Sequence, residues 1–403
     1  MKFWALALTV VLAACASTPS APPKQQIDAL FDDALFAPPS ERISASDVFA
    51  VSDEMRAYVK TGIARLIKTE GSQRALFDAL YDKGLLKLEY DAETTRNASE
   101  AFAARSGNCL SLVIMTAAFA KELGMPVQYQ QVFTDEVWSR VGDFYLSVGH
   151  VNLSIGRPLT EYTPRDASMV IDFLPPKDVR GLRTWALDES MILAMYMNNR
   201  AVEHMTAGNA NEAYWWTRAA ITQDTRFLSA VNTLGVVYQA HGNLPQAQKA
   251  LEFVLEREPA NTRAMSNLAS VLMARGQTAA SQELTRKLAS MEPEPPFGYY
   301  KRGIAAINMG DYRLARDMFA KEVARAAYYH EFHFWLAVAY MGLGDMDDAR
   351  EHMAIAADNS TTRKDRDLYS AKLDRLRAGA AISEANRAGG PPQTRSIGPT
   401  MRR

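Results

Sequence analysis

Five glycines, Gly208, Gly242, Gly276, Gly310 and Gly344, recur at a constant spacing of 34 residues in this 403-residue chain. A fixed period of that length means a stack of like units, because so short a unit cannot bury its apolar face alone and must share it with its neighbours. Small residues keep the same phase. Seven positions before the glycines stand Ala201, Gly235, Ala269, Gly303 and Ala337, and five positions after them stand Ala213, Ala247, Ser281, Ala315 and Ala349. Small side chains let two helices approach closely, and glycine ends the first helix and frees the turn into the second. The period therefore predicts five helix pairs over 194–361, a charged helix over 362–386 that caps the last apolar face, and a disordered tail over 387–403.

The second unit carries Leu234-Gly235, Tyr238, Gly242, Ala247, Leu251 and Pro259, and in this it resembles the tetratricopeptide repeat. The third unit keeps Leu268-Ala269, Leu272 and Pro293, while the fourth and fifth keep the core positions without the closing proline. The resemblance implies an all-α solenoid whose concave groove binds a polypeptide substrate or an envelope protein partner. Trp215, Trp216, Tyr299, Tyr300, Tyr328, Tyr329 and Trp335 could line that groove, but the better expectation is that most of them are inter-helix core.

The chain opens with Lys2, an apolar run over 3–11, and Leu12-Ala13-Ala14-Cys15. That run is shorter than the roughly 20 residues a bilayer span needs, and reads as a signal peptide over 1–15. Its end resembles the lipobox of bacterial lipoproteins, which implies that lipid on Cys15 ties the mature chain to a membrane. Ala16, where inner-membrane lipoproteins carry aspartate, implies the bacterial outer membrane, with the protein facing the periplasm. Residues 16–42, rich in Pro, Ala and Ser, read as a flexible tether. With 45 basic and 46 acidic residues the chain has no charge bias toward nucleic acid.

Between 43 and 190 the pattern changes. Amphipathic spacing predicts helices over 48–67, 72–80 and 97–105, and an apolar helix from Cys109 that ends at Gly124-Met125-Pro126. Strand-like runs follow over 127–133, 144–155 and 169–174, giving an α+β domain of helices and antiparallel sheet. With one of the chain's two cysteines committed to lipid, Cys109 is a lone thiol in an oxidising compartment. At a helix N-terminus, unpaired N–H groups and the helix dipole favour thiolate, the attacking species. His150 is the one histidine ahead of the repeats and lies mid-strand, and Asp172 interrupts an apolar run, where a carboxylate needs a partner.

Helix Cys, strand His and next-strand Asp, at gaps of 41 and 22 residues, resemble the transglutaminase-like superfamily, relatives of papain-type cysteine proteases. The matching stretch is 98–175, with Gly107-x-Cys109 and Leu123-Gly124-Met125-Pro126 as its further marks. The resemblance implies Cys109 as nucleophile, His150 as general base and acid, and Asp172 as orienter of the imidazole. It implies a cysteine hydrolase acting on an amide or ester, with hydrolysis favoured over acyl transfer to an amine. The backbone N–H of Cys109 would be one oxyanion donor. The second donor has no candidate, and Asn108 suits either that role or helix capping. Leu110 departs from the tryptophan that animal transglutaminases and papain carry after the cysteine, and no calcium loop of the animal type is present.

Trp138 and Tyr145 precede His150 and would wall the site or fill the core. His330-Glu331-Phe332-His333 is one residue short of the zinc-protease HExxH spacing, and one cysteine with one histidine makes no metal site. With no Walker loop and no GxGxxG after a strand, no cofactor is called for. The alternative reading, from another class, is a non-catalytic repeat lipoprotein that scaffolds envelope assembly and carries a vestigial thiol domain.

Overall fold

The computed structural model describes residues 21–81, 86, 88–92, 94–132, 138–141, 144–147, 150–156, 168–173, 183–360 and 362–388. Cys15, with the run that resembles a lipobox, and the tail from 389 lie outside the described residues, as do the side chains of Trp138 and Tyr145. The chain forms two compact units, Met1–Pro293 and Glu294–Arg403. The first unit takes in the N-terminal helices and strands together with the first three helix pairs.

In the first unit, short helices α1 (Lys24–Asp28) and α2 (Ala45–Val48) precede a helical run made of α3 (Asp53–Tyr58), a π turn (Val59–Ile63) and α4 (Ala64–Glu70). That run starts later than the expected residue 48, behind Ser52, whose Oγ accepts the Met55 N–H at 3.2 Å and so caps it. Helix α5 (Ser72–Tyr81) and helix α6 (Ala98–Ala104) follow, the latter opened by a capping box of Asn97 and Glu100. Helix α7 (Cys109–Glu122) buries twelve of its fourteen residues. A helix that is apolar all round belongs in the centre of a core, and the ring of Phe119 meets those of Tyr58 and Phe102 there.

The strands are β1 (Glu89–Tyr90), β2 (Ser106–Gly107), β3 (Val127–Val132), β4 (Trp138–Val141), β5 (Phe144–Ser147), β6 (His150–Gly156), β7 (Ser168–Ile171) and β8 (Thr184–Leu187). β1 and β2 pair in parallel. β7-β6-β3-β8 make an antiparallel four-stranded sheet, and β4-β5 a separate hairpin. The expected single strand over 144–155 is therefore two strands in two sheets, and β8 was not anticipated. β8 is an edge strand whose Trp185 is 61% exposed, so it lacks the apolar alternation that marks a half-buried strand.

Helices α8 (Glu189–Thr206) to α13 pair off as α8 with α9 (Ala210–Gln223), α10 (Leu228–Ala240) with α11 (Leu244–Arg257), and α12 (Thr262–Ala274) with α13 (Thr278–Met291). The second unit holds α14 (Gly298–Asn308) with α15 (Tyr312–Arg325), α16 (His330–Leu343) with α17 (Met346–Asp358), and the terminal α18 (Arg363–Ala388). All five periodic glycines take φ between 75° and 90°, the left-handed turn conformation that their spacing foretold. Gly235 and Gly303 serve packing instead. A Cβ there would lie 2.6 Å from Leu251 Cγ and 2.6 Å from Phe319 Cζ, respectively. Within the second unit, Tyr369 and Leu373 of α18 seal Ala337, Met353 and Ala356, as a cap must.

The expected tether over 16–42 is, from residue 21, packed chain. Ile27, Leu30 and Phe36 are buried, and the Phe36 ring stacks on Tyr214 with centroids 3.9 Å apart. Its Pro-, Ala- and Ser-rich composition hid the apolar positions Ile27, Leu30, Phe31, Leu35 and Phe36, which are enough to dock a short segment on an existing surface.

Candidate active site

Cys109 opens α7 and is buried. Asn108 caps the helix: its Oδ1 accepts the Ser111 N–H at 2.9 Å and the Ser111 hydroxyl at 2.9 Å. Its Nδ2 donates to Thr95 Oγ1 at 2.8 Å, so the amide is committed to structure rather than to an oxyanion. Ser111 Oγ in turn accepts the Arg96 N–H at 2.8 Å. This network explains Gly107, since a Cβ there would stand 2.6 Å from Ser111 Cβ. The chain reaches the repeats as well. The Thr95 N–H donates to Glu203 Oε1 of α8 at 2.7 Å, and Arg200 holds the other carboxylate oxygen at 2.9 Å.

His150 begins β6 and is 3% exposed. Its Nε2 lies 2.6 Å from Asp172 Oδ1, and Asp172 Oδ2 accepts Asn152 Nδ2 at 2.7 Å. Asp172 sits one residue past the end of β7, not within a strand as expected. Asn152 is two residues from His150 and shares its face of the strand, and its Oδ1 is buried with no partner among the described residues. Burial works against a charged imidazole here, yet hydrogen bonding with Asp172 and then Cys109 outweighs it, and the pKa is pushed up to about 9. With Nε2 on Asp172, Nδ1 is the nitrogen left for the thiol.

The structure thus brings Cys109, His150 and Asp172 together. It adds a neighbour with no sequence signal: Tyr90, paired with Gly107 across the two short parallel strands. The Tyr90 hydroxyl is a hydrogen-bond neighbour of both the backbone N–H and the thiol of Cys109, and burial raises its pKa, which keeps the hydroxyl protonated. Asn152 could have been found from the His-x-Asn alternation. Tyr90, Thr95 and Glu203 could not, because only folding brings them to the Cys109 end of α7.

Residues 238–301 and 300–363 match family models described as tetratricopeptide repeat. These residues are tetratricopeptide repeats. Solved structures similar to the chain include MamA, at 18% identity over 40% of this chain and 93% of that one with a TM-score of 0.23. A thermophilic TPR protein in Thermus thermophilus gives 16% identity, 45% and 98% coverage and a TM-score of 0.29. YrrB, a TPR protein with an unusual peptide-binding site, gives 18%, 44% and 92%, and 0.24. No curated protein matches the chain.

Tetratricopeptide repeats suggest protein–protein interaction. Within them the candidate groove aromatics divide. Trp216 and Tyr300 are buried, Tyr329 and Trp335 pack on Phe297 and Phe319, and Tyr328 is exposed. Tyr299 lines a cleft of about 460 Å³ in the second unit, with the Arg302 and Lys321 cations over its ring at 4.6 and 5.0 Å. Trp215 donates to the Ala37 carbonyl at 2.6 Å. The histidines of His330-Glu331-Phe332-His333 are used internally: His330 Nδ1 meets the Tyr369 hydroxyl at 3.1 Å, while His333 meets His352 at 3.0 Å and the Ala327 carbonyl at 2.9 Å. Burial lowers the pKa of all three. Among the described residues no group of three or more His, Cys, Asp or Glu could hold a metal ion, and no helix is long and apolar enough to cross a membrane.

Proposed function

We propose that this protein is an envelope-anchored cysteine hydrolase that cleaves an amide or ester through Cys109, His150 and Asp172, while its repeats bind the polypeptide substrate or a partner. One observation carries the reading: a buried imidazole with its Nε2 2.6 Å from a carboxylate and its pKa pushed up to about 9 stands beside the thiol at a capped helix N-terminus. Lipid on Cys15 would hold the enzyme at the bacterial outer membrane, on the periplasmic side. The pattern of residues 2–15 supports this part of the reading.

At neutral pH the imidazole carries its proton, and attack on the carbonyl proceeds from Cys109 Sγ, the thiolate being the reactive form of a thiol. Sγ bonds to the carbonyl carbon, and the carbonyl electron pair moves to oxygen, where the Cys109 N–H and the Tyr90 hydroxyl are the donors at hand. As the tetrahedral species collapses, the C–N bond breaks and the imidazolium proton passes to the departing amine. Water then attacks the thioester and gives its proton to the now neutral imidazole. The C–S bond breaks, releasing the acid and restoring the thiolate–imidazolium pair. Asp172, itself fixed by Asn152, keeps the ring oriented through both halves.

The test is the pH dependence of Cys109 alkylation by iodoacetamide on the chain lacking residues 1–15, in wild type and His150→Ala. Rapid alkylation at neutral pH that is lost in the variant supports the coupled pair and justifies a screen of peptide and ester substrates. A thiol that is inert, or equally reactive in both proteins, sinks the catalytic reading. The protein would then be a repeat scaffold with a silent thiol domain.

A further inference from the structure

The packed segment before residue 42 is held in an unusual way, with side chains of the repeats gripping its main chain. Lys249 Nζ donates to the Ala29 carbonyl at 2.6 Å and the Tyr238 hydroxyl to the Leu30 carbonyl at 2.9 Å. The N–H groups of Asp32 and Ala37 donate to the Tyr214 hydroxyl at 3.1 Å and to Asn211 Oδ1 at 2.8 Å. Two side chains add specificity. Asp33 Oδ1 accepts from the Tyr214 hydroxyl at 2.6 Å and from Arg218 Nε at 2.9 Å. Phe36 lies on the Tyr214 ring and against His241, at centroid distances of 3.9 and 4.5 Å.

This is how a surface recognises a polypeptide ligand: main-chain hydrogen bonds hold any sequence, and a few pockets select one. None of these bonds belongs to a helix or a strand ladder shared with the body of the unit, so the segment can leave without dismantling an element of the fold. We propose that this face of α9, α10 and α11 is an exchangeable polypeptide site, closed in this state by the chain's own residues 24–41. Its partner is a segment that carries an aspartate three residues before an aromatic residue across a single helical turn, as Asp33 and Phe36 do. The basic side chains Arg218 and Lys249 favour an acidic ligand over a basic one. Because the cis segment is tethered, its effective concentration is high, and a partner binds only weakly until the cis contacts loosen. The inference rests on the repeats being polypeptide-binding and is independent of chemistry at Cys109, which the alkylation test addresses separately.

A fluorescein-labelled peptide of residues 24–41 is titrated by anisotropy into the chain lacking residues 1–15, as wild type, as Phe36→Ala, and as Phe36→Ala with Arg218→Ala. The peptide is expected to bind Phe36→Ala at least tenfold more tightly than wild type, and to lose most of that gain when Arg218 is also replaced. Hydrogen exchange on the unaltered chain guards against a variant that misfolds. The amides of Asp32 and Ala37 should exchange through an opening that leaves the amides of α9 and α11 protected. Exchange of these amides only together with the helices would show a permanent part of the fold and overturn the proposal. So would failure of the peptide to bind a folded Phe36→Ala chain, or binding indifferent to Arg218.

Discussion

The helix pairs and the candidate active site are built from contacts of opposite range. In the repeats, Gly235 faces Leu251 and Gly303 faces Phe319, each partner sixteen residues on, and the same demand recurs through the array. At the site, Cys109 and His150 are 41 residues apart, and the Thr95 N–H is held by a carboxylate 108 residues away. A local, repeated contact writes a period into the sequence. A single long-range contact leaves one unremarkable residue at each end. The difference also separates what a substitution should damage: stability in the repeats, reactivity at the site.

The sharpest way to break this contrast is His150→Ala, which should slow neutral-pH alkylation of Cys109 by about a hundredfold or more, within the range of a lost acid–base partner. Gly310→Ala, at a repeat turn, should leave that rate unchanged while lowering the melting temperature. Comparable losses from both would mean that the two regions do not divide as argued.

The next effect is on stability against pH. The folded His150 titrates at about 9, above the value of about 6.5 expected when unfolded. A raised folded pKa contributes stability that is complete below pH 6.5 and is lost as pH rises through 9. The loss is on the order of 3 kcal/mol, read from urea unfolding between pH 6 and pH 10. Asp172→Asn removes the strongest support for the charged ring and leaves burial to oppose it, so that decline should vanish.

Gly303→Ala drives a Cβ to 2.6 Å from Phe319 Cζ and should cost about 1–3 kcal/mol, with Cys109 reactivity intact. Phe319→Leu in the same chain should restore part of the loss. The smallest effect joins the two regions. Asn108→Ala should cost about 1 kcal/mol as a lost cap and should also slow alkylation. Glu203→Ala should slow alkylation with little change in melting temperature, while Glu203→Gln, which keeps an acceptor for the Thr95 N–H, should recover it. If Glu203→Ala leaves the rate untouched, the first repeat helix supports the fold of the site and not its chemistry.

Much of the fold was legible because it rests on local rules. The glycine period announced helix pairs, turns and a capping helix, and Gly124-Met125-Pro126 ended α7 where expected, just after its last residue Glu122 and its C-cap Leu123. Cys109, His150 and Asp172 stood out as residues whose chemistry did not suit their surroundings. The strands were read less well: β8 lies at an edge with little to bury, and 144–155 changes sheets, neither of which alternation records. The 16–42 stretch misled through composition, because a few spaced apolar side chains suffice when a surface already exists to receive them.

By itself the sequence determined the repeat architecture, the capped helix that opens at Cys109 and the candidacy of Cys109, His150 and Asp172 as a site, since periodicity, caps and misplaced polarity act over a few turns of chain. Only the tertiary structure decided that Asn108 is spent on capping, that Tyr90 stands at the thiol, that Asn152 holds Asp172 and that the N-terminal segment closes a face of the repeats. Each of these depends on which surfaces meet after burial of the core. That choice is made by the summed packing of the whole unit, and no single residue along the chain encodes it.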